Sequence, residues 1–332
     1  MLVLTRDDVR ALIRIDEVIA AVEAAHAALA RGAATQAIDR ATPLPGGSGV
    51  MLPMAAAITA PPVAGVKVLA DVPENARRGL RPQHSTITLV DPATGRCLAL
   101  LDGIEITLYR TAAASAIATR LLARADARTL GLIGAGGQAR SHLAALRTVR
   151  EIDRVVVWSR TRATAECFAA EHADAGLSVV VADRPEDVAR AADVLCTLTP
   201  SREPYVRGAW FAPGLHVNAV GAPPRPDHRE VDTEGLRRSV VVVDDMASAL
   251  ERSGEVCVPI ADGAMTASDI HADLGQLVSG TRPGRTRDDE ITLFDSVGLA
   301  LQDIAAAQIV LARARDEGVG VDLDIHQGEA TR

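Results

Sequence analysis

The segment from Thr129 to His142 is the feature that most constrains the fold of this chain. It opens with an apolar run of strand length, Thr129 to Ile133, and continues through a glycine-rich turn into a helical pattern. The spacing G-x-G-x-x-A is filled by Gly134, Gly136 and Ala139. Between a strand and a helix, the first glycine permits a tight turn, the second lets the backbone approach a diphosphate, and the small third residue lets helix and strand pack closely. The segment therefore predicts a dinucleotide-binding unit, with the helix start facing the phosphates.

Strand and helix patterns alternate in the chain after this segment. The predicted strands are Thr129–Ile133, Arg154–Trp158, Leu177–Val181, Val194–Leu198, Leu215–Val220 and Ser239–Val243. Helical segments separate most of these runs, and such alternation predicts an α/β fold with a Rossmann-type doubly wound parallel sheet. We place this predicted dinucleotide-binding domain at residues 126–298.

The chain before residue 126 has a different pattern. Its β-type runs, which turn sequences separate, are Val63–Leu69, Thr86–Val90 and Cys97–Leu101. This pattern predicts an α+β domain with an antiparallel sheet, followed by an alanine-rich helix from Ile106 to Ala125. A last helix, from Gly298 to Glu317, is expected to return to this domain, which then consists of residues 1–125 and 299–332.

Composition limits the classes of partner. The 35 Lys and Arg residues against 43 Asp and Glu residues give a formal net charge of −8, so neither nucleic acid nor an anionic membrane is expected as a partner. The longest apolar stretch, Val50 to Val66, contains three prolines, so no membrane span is predicted. The first residues lack the apolar region of a signal peptide, and the four cysteines are far apart. These features predict a cytoplasmic protein.

The residues after the second predicted strand bear on the choice of nucleotide. A carboxylate at this place usually accepts a hydrogen bond from the ribose 2′-hydroxyl of NAD. Here the residues are Ser159, Arg160 and Thr161. A hydroxyl and a guanidinium would hold a 2′-phosphate through charge-assisted hydrogen bonds, so NADPH is favoured over NADH. The alternative is that Arg160 only caps the following helix or lies on the surface.

Three cations stand in apolar or turn surroundings in the first predicted domain. Arg40 precedes a proline-rich loop, Lys67 lies inside an apolar run, and Arg110 lies in the alanine-rich helix. A charged side chain is seldom buried without a partner, and a substrate carboxylate would suit these cations. The alternative for each is an ordinary residue, such as a lysine at a strand end. Since no metal-ligand spacing and no hydrolase motif is present, the predicted chemistry is hydride transfer.

Several motifs together resemble the ornithine cyclodeaminase/mu-crystallin family over nearly the whole chain. They are Gly65–Lys67, Asp102–Ala116, Gly134–Ala139, Asn218–Ala222, Arg225–Asp232 and Phe294–Gly298. The resemblance implies a homodimer in which a substrate-binding and dimerisation domain, made from the N-terminal part and the last helix, accompanies a Rossmann domain. It also implies that a small imino or amino acid is the substrate.

The resemblance implies roles for individual residues. The family's Arg, Lys and Arg that grip the substrate carboxylate correspond to Arg40, Lys67 and Arg110, of which Lys67 and Arg110 are also expected at the catalytic centre. Val297 would contact the substrate, and His84 lies near a histidine of the family. The implied diphosphate residues are Gly134, Gly136, Gly137, Gln138 and Ala139. The implied residues at the nicotinamide and its ribose are Thr197, Thr199, Ala219, Val220 and Ser296.

One departure separates two branches of the family. Ornithine cyclodeaminases carry a proton-handling Asp in the loop after the fifth strand, and here Pro223 or Pro224 occupies its place. Cyclodeamination needs a positioned acid or base at each step, whereas a protonated imine binds already activated and needs only oriented hydride delivery. The loop resembles the mu-crystallin branch, whose members are NADPH-linked ketimine reductases. Asp227 and His228 remain candidate proton donors, with ordinary loop residues as the alternative.

We therefore predict an NADPH-dependent imine (ketimine) reductase. Its expected substrate is a small cyclic 2-imino carboxylate, such as Δ1-pyrroline-2-carboxylate or Δ1-piperideine-2-carboxylate, which it would reduce to L-proline or L-pipecolate. Another activity of the same family stays open, either ornithine or lysine cyclodeamination or alanine or opine-type dehydrogenation. A protein that binds NADPH and a ligand without turnover is the alternative from a different class.

Overall fold

The structure is a computed structural model that describes residues 1–37, 40–46, 49–173 and 176–325. The chain divides into two compact units. The first consists of Met1–Arg110 and Leu299–Arg332, and the second of Thr111–Gly298. The dividing point between Arg110 and Thr111 lies earlier in the chain than the boundary at residue 125 that was drawn from the sequence.

The first unit begins with a short strand and two helices and continues as a set of strands. These elements are β1 (Leu2–Leu4), α1 (Arg6–Leu12), α2 (Ile15–Ala30), β2 (Ala34–Gln36), β3 (Thr42–Pro43), β4 (Val50–Ile58), β5 (Val63–Asp71), β6 (Gln83–Val90) and β7 (Cys97–Asp102). Thr5 and Asp8 form a capping box at the start of α1, in which each side chain accepts from the other's main-chain N–H. Helix α3 (Ile104–Leu122) then carries the chain into the second unit.

The second unit alternates strands and helices. Its elements are β8 (Thr129–Ile133), α4 (Gly137–Leu146), β9 (Arg154–Trp158), α5 (Arg162–Glu171), β10 (Ser178–Val181), α6 (Pro185–Ala191), β11 (Val194–Thr197), β12 (His216–Ala219), α7 (Thr233–Arg237), β13 (Val240–Val243), α8 (Met246–Arg252), α9 (Gly254–Ala261), β14 (Ile270–Asp273), α10 (Leu274–Val278) and β15 (Thr292–Asp295). The chain then returns to the first unit with α11 (Ala300–Glu317) and β16 (Val321–Asp322).

The sheet of the first unit has the order β16-β1-β7-β6-β5-β4-β2, with β3 also paired to β4. Its pairs are antiparallel, as predicted, except for the parallel pair of β1 with β7. Helix α11 packs on strands β4, β5 and β6. Gly65 in β5 permits this packing, because a Cβ there would lie 2.6 Å from Ile304 Cδ1 of the helix.

The sheet of the second unit is parallel and has the order β10-β9-β8-β11-β12-β15-β13-β14. The chain runs outward from β8 to β9 and β10, and then continues on the other side of β8 with β11 and β12. The order of strands therefore reverses between β8 and β11. In open parallel sheets, ligands bind in the crevice outside the carboxyl ends of the strands at such a reversal.

The predicted fold class, a Rossmann-type doubly wound α/β sheet accompanied by an α+β unit, is confirmed. Strands β8 and β9 have the predicted bounds, and β10 to β13 agree with the predicted runs within one residue at each end. The sequence patterns missed β1 to β4 and β16 in the first sheet, and β14 and β15 in the second. Of the helices in the described ranges, none combines the length and the apolarity that crossing a lipid bilayer requires.

Candidate active site

The loop after β8 begins with Gly134, and the structure requires glycine at this position for two reasons. Gly134 has a φ of +111°, a conformation that side chains other than glycine rarely adopt. A Cβ at this position would also lie 2.9 Å from the Leu198 carbonyl oxygen, in the loop after β11. The first glycine of the motif therefore allows the two loops on either side of the strand-order reversal to pack against each other.

The second glycine of the motif is not required by the chain itself. Gly136 is exposed, has a negative φ of −87°, and a Cβ built on it would meet no atom within 4 Å. Gly137 opens α4, whose N-cap makes no side-chain hydrogen bond, and Ala139 is fully buried behind it. An open main-chain surface at the start of a helix is what a diphosphate needs for close approach. The residues present therefore fit a dinucleotide diphosphate.

Gln138, in the first turn of α4, is held by a buried histidine. His142 Nδ1 lies 2.8 Å from the Gln138 carbonyl oxygen, and its Nε2 lies 3.0 Å from Ser115 Oγ. Burial lowers the pKa of His142 to about 4, so the imidazole is neutral at physiological pH. A neutral ring that donates from Nδ1 to Gln138 accepts at Nε2 from Ser115, which satisfies both nitrogens.

The end of β9 presents the residues predicted to select the nucleotide. Arg160 and Thr161 are exposed and Ser159 is half-buried. Within the described ranges, the Arg160 guanidinium makes no hydrogen bond or ion pair, unlike that of Arg162, which contacts Glu166 at 2.8 Å. Within the described residues, the Arg160 guanidinium is therefore not paired with a carboxylate.

The residues predicted at the nicotinamide fall at the carboxyl ends of three adjacent strands, β11, β12 and β15. Ser296 donates its main-chain N–H to the Ala219 carbonyl at 3.0 Å, which joins the ends of β15 and β12. Thr197 is fully buried, Thr199 is half-buried, and both contact one buried carboxylate, Glu230. The structure therefore gathers these predicted residues at one edge of the sheet, with Val220 half-buried beside them.

The first unit holds a buried group of charges around Lys67. Its Nζ donates to Asp303 Oδ1 at 3.0 Å and to Thr107 Oγ1 at 2.7 Å, and its side chain is only 1% exposed. Asp303 comes from α11, next to Ile304, so the contact depends on the close packing of that helix on Gly65. Lys67 is thus paired with a protein carboxylate in this structure.

Arg110 belongs to the same buried group. Its Nε donates to Asp303 Oδ1 at 3.1 Å and its Nη1 to Gln302 Oε1 at 2.8 Å. Gln302 Nε2 in turn donates to His26 Nε2 at 3.1 Å, which fixes the direction of the amide. Lys67, Arg110 and Asp303 together carry one net positive charge. Within the described part of the chain, Arg110 Nη2 makes no hydrogen bond, and Asp303 Oδ2 is buried without a partner.

Four other predicted residues lie outside the two buried groups around Asp303 and Glu230: Arg40, His84, Asp227 and Val297. Arg40 and His84 are exposed, Val297 is half-buried, and within the described residues Arg40 makes no contact with Lys67 or Arg110. Asp227 pairs with His228 Nδ1 at 2.9 Å and with Arg202 Nη2 at 3.0 Å. The hydrogen bond from His228, with a smaller contribution from Arg202, lowers the pKa of Asp227, so this carboxylate is poorly suited to donate a proton.

Sequence reasoning missed three of the residues that build these groups: Gln302, Asp303 and Glu230. Gln302 and Asp303 are polar residues inside an apolar helical pattern, the same signal that marked Lys67 and Arg110. Glu230 lies within a recognised motif, but its pattern gives no sign that it is fully buried. Burial raises the pKa of Glu230, while the hydrogen bonds from Thr197, Thr199 and Tyr205 oppose the shift.

Comparisons with known proteins agree with the motifs. The model of the ornithine cyclodeaminase/mu-crystallin family matches residues 1–318, which confirms the predicted resemblance. The chain is 38% identical to the alanine dehydrogenase of Archaeoglobus fulgidus, over 96% of this chain and 97% of that protein. It is also 38% identical to the Delta(1)-pyrroline-2-carboxylate reductase of Bacillus cereus, over 96% of this chain and 98% of the relative.

A solved structure is similar over the same extent. It is that of Thermococcus litoralis Delta(1)-pyrroline-2-carboxylate reductase in complex with NADH and L-proline. The TM-score is 0.93 and the identity 37%, with 97% of this chain and 100% of that chain covered. The similarity therefore extends over both units and not over the parallel sheet alone.

Proposed function

The chain belongs to the ornithine cyclodeaminase/mu-crystallin family, and we propose that it is an NADPH-dependent imine reductase acting on a small cyclic 2-imino carboxylate. That it is an NAD(P)H-dependent oxidoreductase follows from relatives named as reductases and dehydrogenases. The finer proposal concerns the substrate and the choice of cofactor. Δ1-Pyrroline-2-carboxylate and Δ1-piperideine-2-carboxylate are the substrates proposed, with L-proline and L-pipecolate as products.

The observation that carries the proposal is the sharing of one carboxylate by two buried cations. Lys67 Nζ and Arg110 Nε both donate to Asp303 Oδ1, and the formal charges of these three described side chains sum to one positive charge. A buried excess charge is costly, and a bound carboxylate would neutralise it. Arg110 Nη2 has no hydrogen-bond partner among the described residues and its side chain is 8% exposed, so this nitrogen can reach a substrate oxygen.

The second unit supplies the groups proposed for the cofactor. Gly136 and Gly137 would present main-chain N–H groups to the diphosphate, while Ser159 and Arg160 would hold the 2′-phosphate. The bound dihydronicotinamide would supply the hydride. Because the Thermococcus litoralis relative was solved with NADH, the preference for NADPH rests on Ser159 and Arg160 alone. Their lack of a carboxylate neighbour in sequence is the supporting feature.

Reduction of a protonated imine requires no acidic residue at the position where cyclodeaminases carry one. An iminium ion arrives protonated, and after it accepts a hydride it becomes the product amine without a further proton from the protein. Lys67 and Arg110 then act by binding and orienting the carboxylate, so that the neighbouring imine carbon is held in one position. Asp227 is exposed and has a lowered pKa, and the proposal assigns it no proton-transfer step.

A second candidate is an amino-acid dehydrogenase that works on alanine. It is favoured by the alanine dehydrogenase relative, whose 38% identity equals that of the reductase relative. Both reactions reduce a carbon–nitrogen double bond next to a carboxylate, so the same pair of cations would serve either. They differ in whether the enzyme must also accept ammonia and pyruvate.

We also propose that the protein is a homodimer that pairs through the open face of its first sheet. The side chains of Ala55, Ala57, Val66 and Thr88 face away from α11 and help to line a shallow groove of about 520 Å³. Extended apolar sheet faces are rarely left in contact with water, since burying them is favourable. A second copy of the same face is the proposed cover.

The testing experiment is NADPH oxidation by the purified protein with each cyclic imine, alongside reductive amination of pyruvate with ammonia. We expect rapid turnover of an imine and slow turnover of pyruvate. Arg110→Ala should lower kcat/KM by about two orders of magnitude, because a charge-assisted carboxylate contact is lost, while NADPH binding is retained. Arg96→Ala removes an exposed arginine of the same unit and serves as the control. Fast pyruvate amination with no imine reduction would replace the proposal with the second candidate.

A further inference from the structure

Glu230 is a fully buried carboxylate surrounded by hydrogen-bond donors. Its Oε1 lies 2.7 Å from Thr199 N, 2.9 Å from Thr199 Oγ1 and 2.9 Å from Tyr205 Oη. Its Oε2 lies 2.6 Å from Thr197 Oγ1 and 2.8 Å from Gly221 N. The Thr199 and Tyr205 hydroxyls are 2.6 Å apart, so one donates to the other and four hydrogen bonds remain for the carboxylate.

These donors come from two neighbouring loops that touch. Thr197 is the last residue of β11 and Thr199 lies in the loop after it, while Gly221 follows β12, the next strand of the sheet. A Cβ at Gly221 would lie only 2.0 Å from Thr199 N, so the two main chains are in direct contact. Glu230 accepts one main-chain N–H from each loop, on separate oxygens.

The hydrogen bond to Thr199 also sets a peptide plane that faces the glycine loop. In a trans peptide the C=O and N–H groups point in opposite directions, so the Leu198 carbonyl points away from Glu230. That carbonyl oxygen lies 2.9 Å from where a Cβ of Gly134 would stand. Glu230 therefore fixes the orientation of the loop after β11 on the side that meets the dinucleotide motif.

The main chain of Glu230 is itself anchored on both sides. Its carbonyl accepts from Tyr205 N at 3.0 Å and from Val206 N at 2.9 Å. Its N–H donates to Glu255 Oε1 at 2.7 Å. A carboxylate with a fixed main chain and donors on both oxygens has little freedom to move, which suits a group that positions others.

We propose that Glu230 is a positioning residue, one that holds the loops after β11 and β12 in the shape that the nicotinamide half of NADPH requires. The inference rests on the proposed function, because it takes Thr197, Thr199, Ala219 and Val220 as the residues beside the nicotinamide. Glu230 itself does not touch the cofactor, since its side chain is buried beneath the loops. Among the described residues Glu230 makes no hydrogen bond with Gly136 or Arg160, so we expect the adenosine half to bind without it.

The substitution Glu230→Gln tests this cage, meaning the Glu230 carboxylate and the donors of Thr197, Thr199, Tyr205 and Gly221 around it, with little change in side-chain shape. Glutamine offers one acceptor oxygen and one NH2 group, whereas the donors approach both oxygens of the carboxylate. The hydroxyl groups can rotate and accept, but the main-chain N–H groups of Thr199 and Gly221 cannot. One of the two loops therefore loses its main-chain hydrogen bond to residue 230 in either orientation of the amide. Gly221 N also donates to the Thr197 carbonyl at 3.0 Å, so the larger effect is expected when the amide NH2 faces Thr199 N.

The measurement compares two ligands by isothermal titration calorimetry on the full-length protein. NADPH contains both halves of the cofactor, and 2′-phospho-ADP-ribose lacks the nicotinamide. We expect Glu230→Gln to weaken NADPH binding by about tenfold or more and to leave 2′-phospho-ADP-ribose binding within about threefold. Tyr205→Phe removes only one hydroxyl from the cage and should keep NADPH binding within about threefold of the wild type.

The difference between the loss of affinity for NADPH and the loss of affinity for 2′-phospho-ADP-ribose decides the outcome. Equal weakening of both would mean that Glu230 supports the whole unit, and unchanged binding of both would mean that it positions nothing; either result overturns the inference. If Glu230→Gln does not fold, Glu230→Asp replaces it. Aspartate keeps the charge but has one methylene fewer, so its carboxylate is drawn back from the donors. The same larger loss of affinity for NADPH than for 2′-phospho-ADP-ribose is expected. A wild-type protein that binds neither ligand would overturn the proposed function together with this inference.

Discussion

The buried charges of the first unit give a prediction about stability that is independent of activity. Asp303 Oδ1 accepts from Lys67 Nζ at 3.0 Å and from Arg110 Nε at 3.1 Å, and the Lys67 and Asp303 side chains are 1% and 0% exposed. Three variants separate the contributions: Lys67→Met, Asp303→Asn and the double variant. Each keeps the approximate volume of the side chain, so that charge is the main change.

The structure sets the order of the effects. Lys67→Met leaves Asp303 paired with Arg110 and removes the hydrogen bonds from the ammonium to Asp303 and to Thr107. Because Thr107 keeps its hydrogen bond to the Gly103 carbonyl, the cost is mainly that of the charged bond to Asp303, about 1.5–3 kcal/mol. Asp303→Asn leaves two buried cations facing an amide, and an uncompensated buried charge costs about 3–5 kcal/mol. In the double variant only Arg110 remains charged. Adding Lys67→Met to Asp303→Asn should therefore restore about 1–2 kcal/mol of stability rather than remove more.

Urea unfolding at neutral pH, followed by circular dichroism, measures all four proteins. Residues that do not interact give additive changes within about 0.5 kcal/mol, so a sum that matches the double variant would refute the reasoning. Glu151→Gln breaks a contact with Arg128 in which both side chains are more than half exposed, and should change the free energy of unfolding by less than about 0.5 kcal/mol.

Two further predictions concern the second unit. Arg160→Asp should lower the ratio of kcat/KM with NADPH to that with NADH by at least about tenfold, whereas Arg162→Ala, whose guanidinium already pairs with Glu166, should leave the ratio unchanged; equal ratios in the two variants would contradict the role of Arg160. Folding lowers the pKa of His142 from 6.5 to about 4, so the unfolded chain binds the extra proton and wild-type stability falls as pH drops from 6.5 towards 4. Relative to His142→Gln, the wild type should lose roughly 3 kcal/mol over that range in unfolding experiments, and a constant difference between the two proteins would show that this histidine is not the cause.

Six of the eight strands of the parallel sheet could be predicted to within one residue, and most of these six are buried on both faces. Such strands appear as short continuous apolar runs, as at Val155–Val157 and Val241–Val243. Strand β15 escaped because only four residues, Thr292–Asp295, separate a charged loop from a glycine turn. Its place between β12 and β13 is a long-range pairing that no local pattern contains.

Strand β4 was missed for a different reason. A proline in an apolar run argues against a strand with neighbours on both sides, because it cannot donate to a hydrogen-bond ladder. Pro53 pairs with Val68 of β5 in register, but on the other side β3 pairs only with residues 50 and 51 and β2 only with residues 56–58. The proline thus lies where the described part of the sheet places no neighbouring strand on that side. Pro53 therefore does not violate the rule that proline avoids positions with strands on both sides. The rule misled the prediction of β4 because the flanking strands β2 and β3 are too short to reach Pro53.

The charged residues show how far one physical rule carries and where it stops. The rule that a buried charge needs a partner singled out Lys67 and Arg110, and both are buried in the structure. Their shared partner, Asp303, is 236 residues from Lys67 in the chain. Sequence separation of this size hides a contact that depends on a helix returning from the far end of the chain onto Gly65. Among the described residues one carboxylate, Asp303, is shared by the two cations, and a substrate carboxylate is the further anion that the prediction would add.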